Sequence, residues 1–253
     1  MSDDPKPADS PVDRGSFPET RWSLVIKARG QGEVAENALE ELCQLYWYPL
    51  YAFVRRSGKS PHDAEDLTQG FFSRVLANEK FGDADSSKGH LRSYMLTGLK
   101  HYMHNDWQKG QTQKRGGGVA PISIDQQLAE DRYQYEPVDE LSPDRMYDRR
   151  WALTILGQVI VRLRSNFDAR GKAEQFEVLK PHLEWGSDDT GYAEAAKSIG
   201  VTENNFKQLV YRLRRSYQAY LREEVAQTVS DPTEVDDELR GLLHALRGGP
   251  TTN

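Results

Sequence analysis

The chain holds one cysteine, Cys43, in 253 residues. A single thiol closes no intramolecular disulfide, and there is no CxxC pair for a zinc or redox site. Such sparing use of cysteine suits a reducing compartment, so a cytoplasmic location is expected. No stretch approaches the ~20 consecutive apolar residues that span a bilayer, and no membrane partner is expected. Residues 1–16 lack the basic and apolar regions of a secretory signal. Rich in Asp, Pro and Ser, they read as a disordered, acidic leader.

Catalytic signatures are equally scarce. Gly116-Gly117-Gly118 lacks the GK[ST] ending of a phosphate loop, and there is no HExxH motif. A serine-centred nucleophile elbow is absent too. His101, His104 and Asp106 fall close together on one helix, but a metal site needs further ligands that no partner motif supplies. No catalytic residue, metal or cofactor is therefore assigned, and the chain is read as a non-enzyme. Convincing alternating strands and internal repeats are also lacking.

What is present is helical periodicity. Apolar residues make up 37% of the chain and charged residues 28%, which suits two small helical cores better than one large one. Trp22 and Val25 open the first helical signal, and Leu39, Leu42, Tyr46, Leu50 and Phe53 continue it at helical spacing. Pro49 is a candidate kink. Ser60-Pro61 reads as a cap followed by the first residue of a helix bearing Ala64, Leu67, Phe71 and Val75. A further helix covers about 90–109. Residues 113–143, with Gly and Pro among Gln, Asp and Glu, read as a flexible linker. Helical spacing resumes at Asp144 and runs through Trp151, Ile155, Val159 and Leu163, then Phe176, Leu179 and Leu183. The expected fold is all-α: a unit at 17–112 and another at 144–226, with an acidic extension at 227–253.

The net charge of −6 argues against nucleic acid only as an average. Lys207, Arg212, Arg214, Arg215 and Arg222 form a run with no acid among them, and Asp231, Glu234, Asp236, Asp237 and Glu238 follow with no base. Within this region Ala195-Ala196-Lys197-Ser198-Ile199-Gly200-Val201-Thr202 has the grammar of a helix-turn-helix. Ala196 is small where helices cross, Gly200 suits the left-handed turn, and Thr202 caps the second helix. That helix would present Asn204, Lys207, Gln208, Tyr211 and Arg212, side chains able to meet base edges and phosphates. An ordinary helix hairpin with a solvated basic face has the same local pattern.

The more discriminating segment is Asp63-Ala64-Glu65-Asp66-Leu67-Thr68-Gln69-Gly70-Phe71-Phe72. Acids in a helix's first turn compensate its dipole, which is the plain reading. The segment also resembles the DAEDLTQ-like helix of the extracytoplasmic-function group of bacterial sigma factors. Leu45–Arg56 upstream and Lys88–Leu96 downstream resemble neighbouring parts of the same conserved region, and residues 17–226 follow the family's order. The Thr20-Arg21-Trp22-Ser23-Leu24 opening and the long linker look most like a planctomycete-type subgroup.

The resemblance implies a sigma factor that binds core RNA polymerase through its clamp coiled coil and flap and directs it to promoter DNA. It assigns Asp63, Glu65, Asp66, Leu67, Gln69 and Phe72 to the polymerase. It assigns Lys100, Asn105, Trp107 and Lys109 to the −10 element, and the helix-turn-helix residues to the −35 element. An anti-sigma factor or other regulator is a further partner it allows. Departures from the family are Tyr94 in place of Trp, Gly70 where an acid is common, and Asn204-Asn205 in place of small residues. The alternative is a stand-alone helix-turn-helix regulator whose N-terminal half senses a ligand or partner.

Overall fold

The computed structural model describes residues 21–76, 89–110, 126–134, 141–183 and 191–247, with backbone alone for residues 76, 107–110 and 126–128. The leader before Arg21 and most of the expected linker lie outside the described residues. Among those described, the chain is all helix, with no strand. The helices are α1 (Arg21–Lys27), α2 (Glu33–Arg56), α3 (Pro61–Leu76), α4 (Leu91–Gly110), α5 (Gln126–Gln134), α6 (Pro143–Asp168), α7 (Ala173–Leu179), α8 (Tyr192–Ser198), α9 (Glu203–Ala226) and α10 (Val235–Arg247). None is long and apolar enough to cross a membrane.

Local chemistry sets several of these boundaries. The Ser60 hydroxyl accepts from the Asp63 amide at 3.1 Å and donates to the Asp63 carboxylate at 2.7 Å, which closes the N-terminus of α3. Ser142 caps α6 in the same way, accepting from the Arg145 amide at 3.4 Å with Pro143 as first helical residue. Pro49 does not end α2. The helix runs through it for 24 residues, and Pro49 is buried on the packed side.

Two apolar clusters form the interior. The first gathers Leu42, Tyr46, Leu50, Phe71, Met95 and Leu99 from α2, α3 and α4. It also takes Tyr147, Trp151 and Ile155 from the first half of α6, Val225 from the end of α9, and Val229, Val235 and Leu242 beyond it. The second is smaller: Val159 and Leu163 from the second half of α6, Phe176, Leu179, Tyr192 and Ala196, with Phe206, Val210 and Leu213 from α9. α6 and α9 thus each contribute one end to each cluster. At 26 and 24 residues, α6 and α9 extend about 39 and 36 Å.

Inside the segment read as a linker, α5 is a docked helix. Glu130 accepts two hydrogen bonds from Arg55, at 2.9 and 3.0 Å, and one from the Tyr51 hydroxyl at 2.5 Å. Ala129 is buried beneath it in the first cluster. Paired fork-on-carboxylate geometry of this kind fixes orientation as well as distance.

Candidate functional site

The helix-turn-helix is built from α8, the Ile199–Thr202 turn and α9. The Val201 amide bonds to the Ala196 carbonyl at 3.0 Å, and the Gly200 amide to the Lys197 carbonyl at 3.2 Å. Together these are the two bonds of a Schellman cap, which needs a left-handed residue between them. Gly200 supplies it with φ +68°. Thr202 then caps α9 by accepting from the Asn205 amide at 3.3 Å. Below the turn, Ala196 and Phe206 are buried, and the rings of Tyr192, Phe206 and His182 meet edge to face at 4.9–5.4 Å.

This packing leaves Asn204, Lys207, Gln208, Tyr211 and Arg212 on the exposed side of α9. Tyr211 is 62% exposed, an unusual amount for an aromatic ring with a buried helix face available one residue away. Lys207 pairs with Glu203 at 2.9 Å, one turn earlier. Arg215 is exposed as well, whereas two other bases of the run are occupied. Arg214 donates to the His182 carbonyl at 3.0 Å, which anchors the 3-10 turn Lys180–Leu183. Arg222 pairs with Asp236 of α10 at 2.5 Å. These are structural roles that the basic run alone does not reveal.

On α3, Asp63 and Asp66 are exposed and Glu65, Leu67 and Gln69 half-buried. Asp66 lies 3.7 Å from His62, and Leu67 packs against the first cluster. Phe72 is placed differently from the polymerase-facing position that the resemblance assigns it. It is 0% exposed, because it shares the inner face with Ala64, Thr68, Phe71 and Val75 at helical spacing. Gly70 has a local reason: a Cβ there would collide with the Tyr102 hydroxyl of α4. The Tyr102 ring meets Phe71 edge to face at 6.4 Å, and Arg74 lies over it at 5.8 Å.

The candidates on α4 are dispersed. Lys100 pairs with Asp144 at the start of α6 and lies 5.5 Å from the Phe53 ring, while Asn105 is exposed. The side chains of Trp107 and Lys109 lie outside the described residues. Tyr94 packs on Trp22 at 5.2 Å and lies within 3.4 Å of the Arg29 guanidinium.

A buried polar network joins α4, α6 and α10. Glu238 of α10 is 1% exposed and sits where Arg92 and His90, at the start of α4, both reach it, at 2.7 and 3.1 Å. Arg92 also pairs with Asp148 of α6 at 2.5 Å and lies 5.0 Å from the Trp151 ring. Burial pushes the Glu238 carboxyl up, but His90 and Arg92 outweigh it and hold it below the usual range. Contact with Glu238 raises His90 in turn. For Asp148 burial wins over the Arg92 charge and the carboxyl is raised, so Glu238 is the better-compensated partner. The sequence does carry a signal for this site. Glu238 falls between Val235 and Leu242 on the apolar face of an amphipathic helix, a position where a charge needs a partner.

A second buried pair joins α1 to the end of α9. Arg21, 4% exposed, pairs with Glu224 and donates to Gln158 at 2.9 Å. Beside it an open groove of about 810 Å³ runs between α2 and α6, lined by residues such as Glu40, Gln44, Thr154 and Arg162. Its hydroxyl group, on Thr154, donates to the Arg150 carbonyl at 2.9 Å. Cys43 is buried, and burial followed by the Glu40 charge pushes its thiol up to about 12. His101 and His104 are exposed, and no group of three metal-capable side chains converges among the described residues. In comparisons with known proteins, no family model, curated protein or solved structure matches this chain.

Proposed function

We propose that the protein is a sigma factor of the extracytoplasmic-function type. It binds core RNA polymerase, recognises promoter DNA and starts transcription in the cytoplasm, with no chemistry of its own. In this reading residues 17–112 form the polymerase and −10 unit and residues 144–226 the −35 unit. The clamp coiled coil and flap are the polymerase surfaces met, and an anti-sigma factor or other regulator is a further partner.

The observation that carries the reading is the α3 face. Its acids, Asp63 and Asp66, stand exposed at a capped helix start while the apolar side of the same helix is buried. Acids at a helix start also compensate its dipole, so it is the DAEDLTQ-like order that gives the face a partner. The α8–α9 turn supplies the second requirement, a rigid helix with Asn204, Lys207, Gln208, Tyr211 and Arg212 outward.

Run-off transcription with core polymerase, using DNA from upstream of the protein's own gene, tests the proposal. Initiation is expected only when the protein is added. Asp66→Arg is expected to abolish core binding and leave the affinity of α9 for duplex DNA unchanged. Core affinity equal to that of the unaltered protein would sink the reading.

A stand-alone helix-turn-helix regulator is favoured by one feature. The two units share their long helices and one apolar cluster, as a single sensing and binding body would. In that case duplex DNA binding survives, and core polymerase makes no difference to transcription.

A further inference from the structure

We propose that residues 227–242 are an intramolecular clasp that closes over the start of α4 and keeps that segment from single-stranded DNA. The proposal rests on the sigma reading, in which α4 carries residues assigned to the −10 element, Lys100 and Asn105 among them.

Five ties hold the clasp. The Gln227 carbonyl accepts from the Arg21 amide at 2.8 Å, and the Thr228 carbonyl accepts from the Leu91 amide at 3.0 Å. The Ser230 hydroxyl donates to the Gly89 carbonyl at 2.9 Å. Glu238 engages His90 and Arg92 together. Val229, Val235 and Leu242 are buried in the first cluster. The amides of Arg21 and Leu91 are first-turn amides, which have no partner within their own helices. The turn after α9 therefore satisfies two helix starts at once.

The clasp covers charge that single-stranded DNA would use. Arg92 and His90 are the cationic groups at this helix start, and a nucleic-acid backbone needs such groups beside a stacking ring. Tyr94 is the nearby ring, held by Trp22. In the closed form Arg92 serves Glu238 and Asp148. An acidic partner already in place must be displaced before a phosphate takes it over. Release of α10 would free His90 and remove one of the two acids on Arg92, without disturbing the α8–α9 turn, whose packing lies in the second cluster.

Two substitutions open the clasp by different means. Glu238→Gln removes the buried charge and keeps its shape. Gly241→Phe drives a ring into Arg92, whose Nη2 lies 3.1 Å from where a Cβ would stand. Amide exchange at Leu91 reports release directly. A labelled single-stranded 20-mer from upstream of the gene reports access, and run-off transcription with core polymerase reports function.

With helicity retained, both variants are expected to speed Leu91 exchange at least tenfold and to bind the 20-mer at least fivefold more tightly. Three results overturn the proposal: faster exchange with unchanged 20-mer affinity, Leu91 exchange in the unaltered protein as fast as an open helix start, or no change at Leu91 in either variant. A failure of the sigma reading looks different. Leu91 is then released by both variants, but neither they nor the unaltered protein start transcription, and the clasp loses its role with that reading.

Discussion

Gly70 shows how a single residue's reason can lie outside its own helix. On propensity alone, Gly70→Ala in mid-α3 should stabilise by up to about 1 kcal/mol. The Tyr102 hydroxyl occupies the space that a methyl group would need, and overpacking of this kind costs about 1–3 kcal/mol. The net expectation is a protein destabilised by about 1 kcal/mol, with a lower urea midpoint. In a Tyr102→Phe background the penalty should shrink, because the obstructing oxygen is gone. A Gly70→Ala variant more stable than its parent would show the contact to be inconsequential. From the sequence the glycine stands out only as a departure from a family pattern. Its partner is 32 positions away on another helix, so no local pattern could supply the cause. Phe72 illustrates the opposite case. Its inward position follows from spacing with Ala64 and Thr68, information that the chain itself contains.

At the scale of an element, α9 divides into an exposed face and a packed face, and its arginines divide with it. Arg212→Ala is expected to weaken duplex binding and to lower the slope of log affinity against log salt by about 0.9, one phosphate contact. Fold stability should be unaffected. Arg214→Ala is expected to do the reverse: it loses the bond to the His182 carbonyl and lowers the melting temperature, with the salt slope kept. Titrating both variants at several salt concentrations beside thermal melts separates the two. An unchanged slope for Arg212→Ala would remove that residue from the contact surface. The helix, its cap and its turn were legible in residues 195–213, because Gly200, Thr202 and the apolar spacing act locally. The roles of Arg214 and Arg222 were not. A run of like charges says nothing about which members meet a carbonyl or a carboxylate once the chain folds.

Across the whole molecule, the acidic extension ties distant elements together. Residues 231–238 are a run of acids in the sequence, yet Glu238 is buried and joins α4 to α10. Its titration gives the protein a pH signature. His90 is raised by Glu238, so its contribution to stability is full below the unfolded value of about 6.5 and disappears as pH rises through the higher folded value. Glu238 is lowered, so its contribution is present above about 4.3 and is lost as pH falls through the folded value. Arg92 stays charged throughout; Glu234 also faces His90, and Asp148 faces Arg92. The melting temperature lost on His90→Asn should therefore be greatest near pH 6 and fade towards pH 9. A loss independent of pH across that range would mean that packing, not charge, holds His90.

The sharing of α9 between the two clusters has a mechanical consequence. A straight rod of about 36 Å acts as a lever, and a tilt of about 10° at the Thr202 tip displaces its Glu224 heel by about 6 Å. That heel carries the Arg21 pair, and the chain leaves it directly into residues 227–230. A shift of that size exceeds the reach of any hydrogen bond there. Seating the tip in a groove and keeping the heel fastened are thus competing demands on one rigid part, and what grips one end is felt at the other.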